Sequence, residues 1–438
     1  MSTERNPTHD PDARSFVESA NVFGCDFPIQ NLPFGAFTNG QNSCPSLCVA
    51  IGDQVLDLEA AAECELLDEV DDATYEVCKE GCLNPLMGLG SARWSALRRA
   101  LFQLMSENSA NRTEAEACLH PQQDVTMVMP VEIGNYTDFY ASVHHASNVG
   151  ALFRPENPLL PNYKWVPIAY HGRASSIVVS GTAVRRPWGQ VKIPSAEHPE
   201  FAPSRRLDYE LEIGAFVGVG NEMSEAIPIT RAGDHIFGLC LLNDWSARDI
   251  QSWEYQPLGP FLSKSFATSI SPWIVTTEAL APFRVPAATR PVGDPQPLPY
   301  LADPDDQQRG GFDVTAEVYL RTAAMRERDC SPHLVSRGNL RDLYWTFAQM
   351  FAHHTSNGCD LRPGDLLGSG TVSGPDPGAR GCLLEITRGG AEPILLPDGT
   401  QRTFLEDGDE VTLRAFCQSS GAVRIGFGEC RGTLIAAR

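Results

Sequence analysis

Residues 207–220 read LDYELEIGAFVGVG, and the assignment of this stretch decides the architecture. Leu211, Ile213, Ala215 and Val217 recur with period two, the mark of a strand with one face in a core. The opposite face carries Glu210 and Glu212, then turns to Gly214 and Phe216 with no further charge. Same-face neighbours on a strand lie roughly 7 Å apart at Cα. At an effective dielectric of about 20, two carboxylates at that distance repel by roughly 2 kcal/mol. A solvated strand face carries such a pair easily; a buried face needs a compensating charge. Because the flanking residues are apolar, a cation or a catalytic site competes here with the solvated reading.

Two more carboxylates stand in similar settings. The apolar run in IFGLCLLNDWSARDIQ (236–251) stops abruptly at Asn243 and Asp244. Asp138 lies in the aromatic-rich NYTDFYASVHHASNVG (135–150), which also holds His145. Carboxylate oxygens without a nearby cysteine suit a hard cation, Mg²⁺, Ca²⁺ or Mn²⁺, rather than zinc. His145 is the candidate general base, since an imidazole changes charge near neutral pH. Lys264, set among small and apolar residues in GPFLSKSFATS, either snorkels or neutralises an anion. Arg154 and Arg248 serve either as structural residues or as partners of a substrate carboxylate.

Around the opening stretch, VSGTAV, IFGLCLL, FDVTAEVYL and EVTLRAF are strands separated by Gly/Pro turns. Regular intervening helices are missing, which predicts a mainly β, α+β architecture with a sandwich or β-roll. NLRDLYWTFAQMFAHHTSNG (339–358) is expected to be one helix, with Leu340, Leu343, Tyr344, Phe347, Met350 and Phe351 on one face and Gly358 past its end. His353 and His354 fall in its last turn, where contact with the helix C-terminus is the simplest role. At 438 residues the chain is too long for one ordinary core. The division expected is 1–125, short strands and a helix opening on a serine cap at Ser91, followed by 126–438.

A net charge of −21 argues against nucleic acid or an anionic membrane as partner. No signal-like segment or membrane span is evident, so a cytosolic protein is expected. The 13 cysteines are scattered and odd in number, as befits reduced thiols. Cys44/Cys48 and Cys78/Cys82 form two C-x₃-C pairs, read as coincidence in an apolar region rather than as a zinc site. The Gly-rich pieces GVGNE, GLGSAR and GSGTVSG lack the strand–helix setting of a nucleotide loop, and no G-x-S-x-G elbow occurs.

Taken together, YTDFYASVHHASNVG, YHGRASSIVVSGT, LDYELEIGAFVG, NDWSARDIQSWEYQPLGPFLSKSF, HHTSNGCDLRPGDLLGSGTVSG and GFGEC resemble the fumarylacetoacetate hydrolase family, in order, from about residue 136 to 430. The resemblance implies a small N-terminal SH3-like β-barrel and a large C-terminal metal-binding β domain. It implies Asp138, Glu210, Glu212 and Asp244 as ligands of a divalent ion, with Lys264 and Thr268 beside it. His145 would activate water and Glu385 would orient it. Arg248, Gln251 and Lys264 would face the reacting centre, and Tyr140, Arg154, Tyr170, Gln251, Tyr255 and Thr371 would contact substrate. The implied substrate is a small dicarboxylate β-diketone cleaved at a C–C bond, and the implied assembly a homodimer. His144, next to His145, is a weaker competitor for the role of base. The rivals are a relative with the same metal set (acylpyruvate hydrolase, hydratase or decarboxylase) and a non-catalytic metal-stabilised binding protein, which would not need His145, Glu385 and Lys264.

Overall fold

The strand Leu211–Val217 is buried along its whole length. The computed structural model describes residues 5–40, 44–193 and 195–438. Leu211–Val217 runs antiparallel to Ile236–Asp244 on one side and to Leu366–Gly368 on the other. All three belong to an eight-stranded mixed sheet. Its order is Ala169–Gly172, Tyr136–Phe139, Leu366–Gly368, Leu211–Val217, Ile236–Asp244, Thr268–Ile270 and Ile177–Val179, with Val275–Thr276 also paired to Ile236–Asp244.

Pleating sends the two faces of Leu211–Val217 into different cores. Leu211, Ile213, Ala215 and Val217 join Val318, Leu413 and Phe427 of a second, five-stranded sheet. That sheet is ordered His333–Asn339, Thr315–Arg321, Glu410–Cys417, Ile425–Ile435 and Val184–Arg185. Phe216, on the glutamate face, joins a core shared with the N-terminal residues Phe34, Val49, Trp94 and Leu97. The architecture is therefore α+β, with two packed sheets carrying the site.

The N-terminal strands form an antiparallel five-stranded sheet ordered Leu119–Pro121, Gln54–Asp57, Ser46–Ile51, Phe34–Thr38 and Thr126–Val128. Its two edge strands are joined only by residues 122–125. That connection reaches at most ~17 Å, short of the ~19 Å width of a flat five-stranded sheet, so the sheet has to curl. It is fixed to the large sheet by reciprocal backbone hydrogen bonds of 3.0 and 2.8 Å between Phe34 and Ile274. The Phe237 ring meets Trp94 edge-on at 5.1 Å and Phe34 at 5.8 Å. The N-terminal unit thus covers the face from which the two glutamates project.

Two helix expectations need correction. Ser91 does not cap Ser91–Met105; it is the first helical residue, and the cap position is Gly90 at φ +90° with no side-chain bond. Trp94, Leu97, Leu101, Leu104 and Met105 are buried as the spacing predicts. The long helix over 339–358 is really a short 3₁₀ turn, Leu340–Asp342, and a helix confined to Phe347–Thr355. Thr346 interrupts it: its backbone is extended, its hydroxyl accepts from the Gln349 N–H, and the Gln349 side chain accepts in return from the Thr346 N–H. The apolar periodicity continues through this break because both pieces pack on the same core.

All thirteen cysteines are free thiols. Cys48 and Cys78 are buried in apolar cores, and among the described residues the C-x₃-C pairs do not gather into a metal site. No described helix is long and apolar enough to cross a membrane. Replacing Thr346 with Ala removes one half of its capping box and is expected to cost about 1 kcal/mol, read as a lower urea midpoint with an unchanged slope.

Candidate active site

Three strands of the large sheet bring Asp138, Glu212 and Asp244 together, with Leu366–Gly368 lying between the first two. Asp138 stands in Tyr136–Phe139, level with Gly368 of the adjacent parallel strand. Glu212 is the second residue of its strand, and Asp244 ends the neighbouring one. Carboxylate oxygens of the three lie within 4.8 Å of one another, and all three residues are buried. Gly368 keeps this space open: a Cβ there would stand 2.6 Å from Asp138 Oδ1, 3.1 Å from Glu212 Oε2 and 3.2 Å from the Tyr136 hydroxyl. Asp138 Oδ1, both Glu212 oxygens and the Tyr136 hydroxyl are buried with no hydrogen-bond partner. Burial first, then repulsion from neighbouring carboxylates, pushes the carboxyls of Asp138 and Glu212 well above their usual range. Orphaned acceptors converging on a space lined by hard oxygen donors fit a divalent cation, which supplies the missing positive charge.

Glu210 is compensated differently. It precedes the regular strand, and its backbone N–H donates to Asn243 Oδ1. Arg248 Nη1 is 2.7 Å from its Oε1, and Lys264 Nζ is 2.5 Å from its Oε2. Burial opposes ionisation, but Lys264 and Arg248 hold the carboxyl far below its usual range. Lys264 also donates to Asp244 Oδ2 at 2.6 Å, so one ammonium bridges two buried carboxylates. Tyr170 donates to the same Asp244 oxygen at 2.8 Å, and Thr268 donates to Oδ1 at 3.3 Å. Beside them opens a cavity of about 220 Å³ whose lining includes Tyr136, Tyr170, Asp244, Phe261, Lys264 and Thr268. Arg248 is anchored on Asp208 at 2.9 Å, and Asp208 also accepts the N–H groups of Leu383 and Leu384.

The second cluster is a His–carboxylate pair. Ser142 caps the helix Val143–Phe153, its hydroxyl accepting the His145 N–H at 3.1 Å, which places His145 in the first turn. His145 Nδ1 lies 2.6 Å from Glu385 Oε2. Glu385 sits in the one-turn helix Leu383–Ile386 and also accepts from Asn148, Ser373 and Cys382. Burial works against its charge, but His145 and the hydrogen bonds from His145, Asn148 and Ser373 hold its carboxyl down to about 2. An ionised carboxylate only accepts, so Nδ1 carries the proton and Nε2 presents a lone pair. This cluster has the atom types of a metal site too, but its carboxylate oxygens are already occupied by donors. The unmet demand lies at Asp138 and Glu212.

Tyr140 stands edge-on to the His145 ring at 5.3 Å. Thr371 is buried with an unpartnered hydroxyl. Gln251 Oε1 accepts from Arg248 Nη1 at 3.1 Å, which fixes the amide and leaves its NH₂ group as a donor. Tyr255 is half-exposed at the end of the Arg248–Glu254 helix. Arg154 is not brought to the centre: it is exposed at the far end of the His145 helix, about 13 Å along the axis by the rise per residue, with Nη2 on the Pro158 carbonyl. His144 lies close enough to Asp342 to favour its charge, and the Glu385 carboxylate is bonded by His145 instead. Sequence reasoning passed over Asp208, Asn148, Ser373 and Cys382. For Asp208 alone a signal existed, a third carboxylate in the same stretch, two residues before Glu210.

Comparison with known proteins bears on the whole chain. The model for the fumarylacetoacetate hydrolase C-terminal region matches residues 135–435, and that for the fumarylacetoacetase N-terminal region matches residues 30–130. Fumarylacetoacetase of Arabidopsis thaliana is 49% identical over 96% of this chain and 98% of its own length. That of Caenorhabditis elegans is 51% identical over 94% and 97%, and that of Homo sapiens 47% identical over 94% and 97%. Among solved structures, a fumarylacetoacetate hydrolase from the psychrophile Exiguobacterium antarcticum shares the fold, with a TM-score of 0.51 at 15% identity, covering 93% of this chain and 100% of its own. With a buried His–Glu dyad beside a convergent carboxylate trio, and with both family models matched in order, the chain belongs to the fumarylacetoacetate hydrolase family.

Proposed function

We propose that this enzyme is a fumarylacetoacetase, hydrolysing the C–C bond of 4-fumarylacetoacetate to fumarate and acetoacetate, the last step of tyrosine and phenylalanine breakdown. The observation that carries this reading is the near full-length identity to fumarylacetoacetases of plant, nematode and mammal, in a chain that keeps a donor-saturated His145–Glu385 pair.

Asp138, Glu212 and Asp244 would hold the cation, with Glu210 the fourth ligand of the proposed set. Mg²⁺ or Ca²⁺ suits these oxygens, and Mn²⁺ is compatible. When bound, the ion supplies Lewis-acid polarisation of the diketone oxygens. The protein's own groups do the rest. His145 Nε2 takes a proton from water, and Glu385 stabilises the resulting imidazolium. The hydroxide adds to the carbonyl beside the fumaryl double bond. The C–C bond breaks with its electron pair on the acetoacetate carbon, which then receives the proton from His145. Lys264, Arg248 and the NH₂ group of Gln251 stabilise the developing negative charge. Tyr140, Tyr170, Tyr255, Thr371 and Gln251 are assigned to substrate contact. Arg154, exposed at the far end of the His145 helix, is assigned to a substrate carboxylate.

We also read the N-terminal unit, to about residue 125, as an SH3-like barrel, supported by its curled antiparallel sheet, whose last strand runs on to Val128. The catalytic domain follows from 126. Free thiols support a cytosolic setting, and the homodimer rests on the family resemblance.

Loss of the conjugated diketone absorbance is expected with purified protein, giving fumarate and acetoacetate, and EDTA should stop it. His145→Ala should lower turnover by about 10²–10⁴-fold. Activity on acylpyruvates or oxaloacetate, with none on the diketone, would instead favour the rival enzymes of the same metal set. Metal binding should also register without turnover. Cation at 100 times its Kd should stabilise the wild-type fold by about 2.7 kcal/mol. Glu212→Gln should melt higher than metal-free wild type, because at neutral pH folding without metal has to bury a carboxyl whose ionisation the site opposes, and its melting temperature should not respond to Mg²⁺ or Ca²⁺.

A further inference from the structure

Glu385 is held by more than its histidine. Oε2 accepts from His145 Nδ1 at 2.6 Å, Ser373 Oγ at 2.8 Å and Cys382 Sγ at 3.2 Å, and Oε1 accepts from Asn148 Nδ2 at 2.8 Å. Ser373 and Cys382 are fully buried. Ser373 is bonded on every side: its hydroxyl accepts the Gly381 N–H at 2.9 Å, and its carbonyl accepts the Ser142 hydroxyl at 2.8 Å. Ser142 is the residue that caps the His145 helix. The backbone at Ser373 therefore holds the histidine through Ser142, while its side chain holds the carboxylate. Both halves of the dyad are referenced to one point.

Each donor on a carboxylate oxygen draws off charge that would otherwise go to the imidazole N–H. A hydroxyl does this more strongly than a thiol, since S–H is a weak donor. Two of the three donors on Oε2 thus compete with His145 for the same lone pairs. We propose that Ser373 and Cys382 are positioning residues that set how tightly the His145–Glu385 dyad holds its catalytic proton, Ser373 by a strong donor and Cys382 by a deliberately weak one; this rests on the catalytic role proposed for the dyad. Other charged or titratable groups around the dyad are Glu210 and Arg248, Tyr140 edge-on to the His145 ring, Asp208 and Tyr209 near Cys382, and Arg380, whose Nη1 donates to the Glu385 carbonyl at 3.1 Å. None of them is altered by the two substitutions that test the idea.

The experiment is the pH profile of kcat/KM for full-length, metal-replete wild type, Ser373→Ala, Cys382→Ser and His145→Ala. Ser373→Ala removes a donor, so the dyad binds its proton more tightly and the acid limb moves up by about 0.5–1 pH unit, the scale of one hydrogen bond. It also frees Glu385 from its reference point, so kcat should fall about 10-fold or more with KM little changed. Cys382→Ser strengthens a donor, so the acid limb should move down, in the opposite sense. A purely structural role would lower the melting temperature and leave both limbs where they are. Unmoved limbs, or limbs that move in the same direction, overturn the proposal. If Ser373→Ala gives no cooperative melt, Cys382→Ser carries the test alone, and an unmoved limb there overturns it. Wild-type turnover in His145→Ala would remove the dyad's catalytic role, and this proposal with it.

Discussion

Buried like charge is the constraint on which this structure depends. Asp138, Glu210, Glu212 and Asp244 all lie within a few residues of strand ends in one sheet, and none is more than slightly exposed. Carboxylates at that spacing cannot stay ionised in a dry place without positive charge. The chain supplies part of it: Lys264 spans Glu210 and Asp244, and Arg248 spans Glu210 and Asp208. It gives no hydrogen bond to either oxygen of Glu212 or to Asp138 Oδ1. The uneven distribution sets the chemistry. Two carboxylates are tied to fixed cations, and the shortfall is confined to the space that Gly368 leaves open.

The same contrast separates the two halves of the site. Around Asp138 and Glu212, acceptors outnumber donors. Around Glu385, donors fill the acceptor capacity, with three of the four crowded onto Oε2. A carboxylate starved of donors invites a cation; one crowded by donors stays ionised and holds its histidine in a single tautomer. The arrangement therefore keeps an electrophilic centre and a base from collapsing into each other, although both are built from carboxylates and lie on one buried surface. Arg248 links the halves, since its partners Glu210 and Asp208 belong to the metal side and to the backbone that carries Glu385.

What was legible in the sequence follows from the range of the interactions. The alternation in 211–217, the abrupt end of the 236–244 strand and the placement of Asp138 before His145 are local patterns, and they located the strands and the carboxylates. Glu210 and Glu212 are compensated in different ways, because only Glu212 is in the regular strand. Lys264, 54 residues away, reaches Glu210, and no spacing announces that. Ser373, Asn148 and Cys382 were silent for the same reason: small polar residues carry no periodicity, and Asn148 meets Glu385 across 237 residues of chain. The helix at 347–355 was overextended because Thr346 looks like one polar residue in an apolar run. Only its exchange of bonds with Gln349 makes it a boundary.

The N-terminal unit gains a physical role from this geometry. Its core is continuous with Phe216, Phe237, Leu242 and Leu366, the residues that extend the glutamate face of the large sheet. Without that cover, water would reach the strand face below Glu212 and Asp138. Their repulsion would then be screened, and the demand for a cation would weaken. Tyr136 stands at this boundary, its ring in the shared core and its hydroxyl unpartnered beside Asp138. A domain that contributes no residue to the proposed chemistry thus helps set the dielectric in which the chemistry occurs, and the strand whose two faces enter two cores is the element through which it does so.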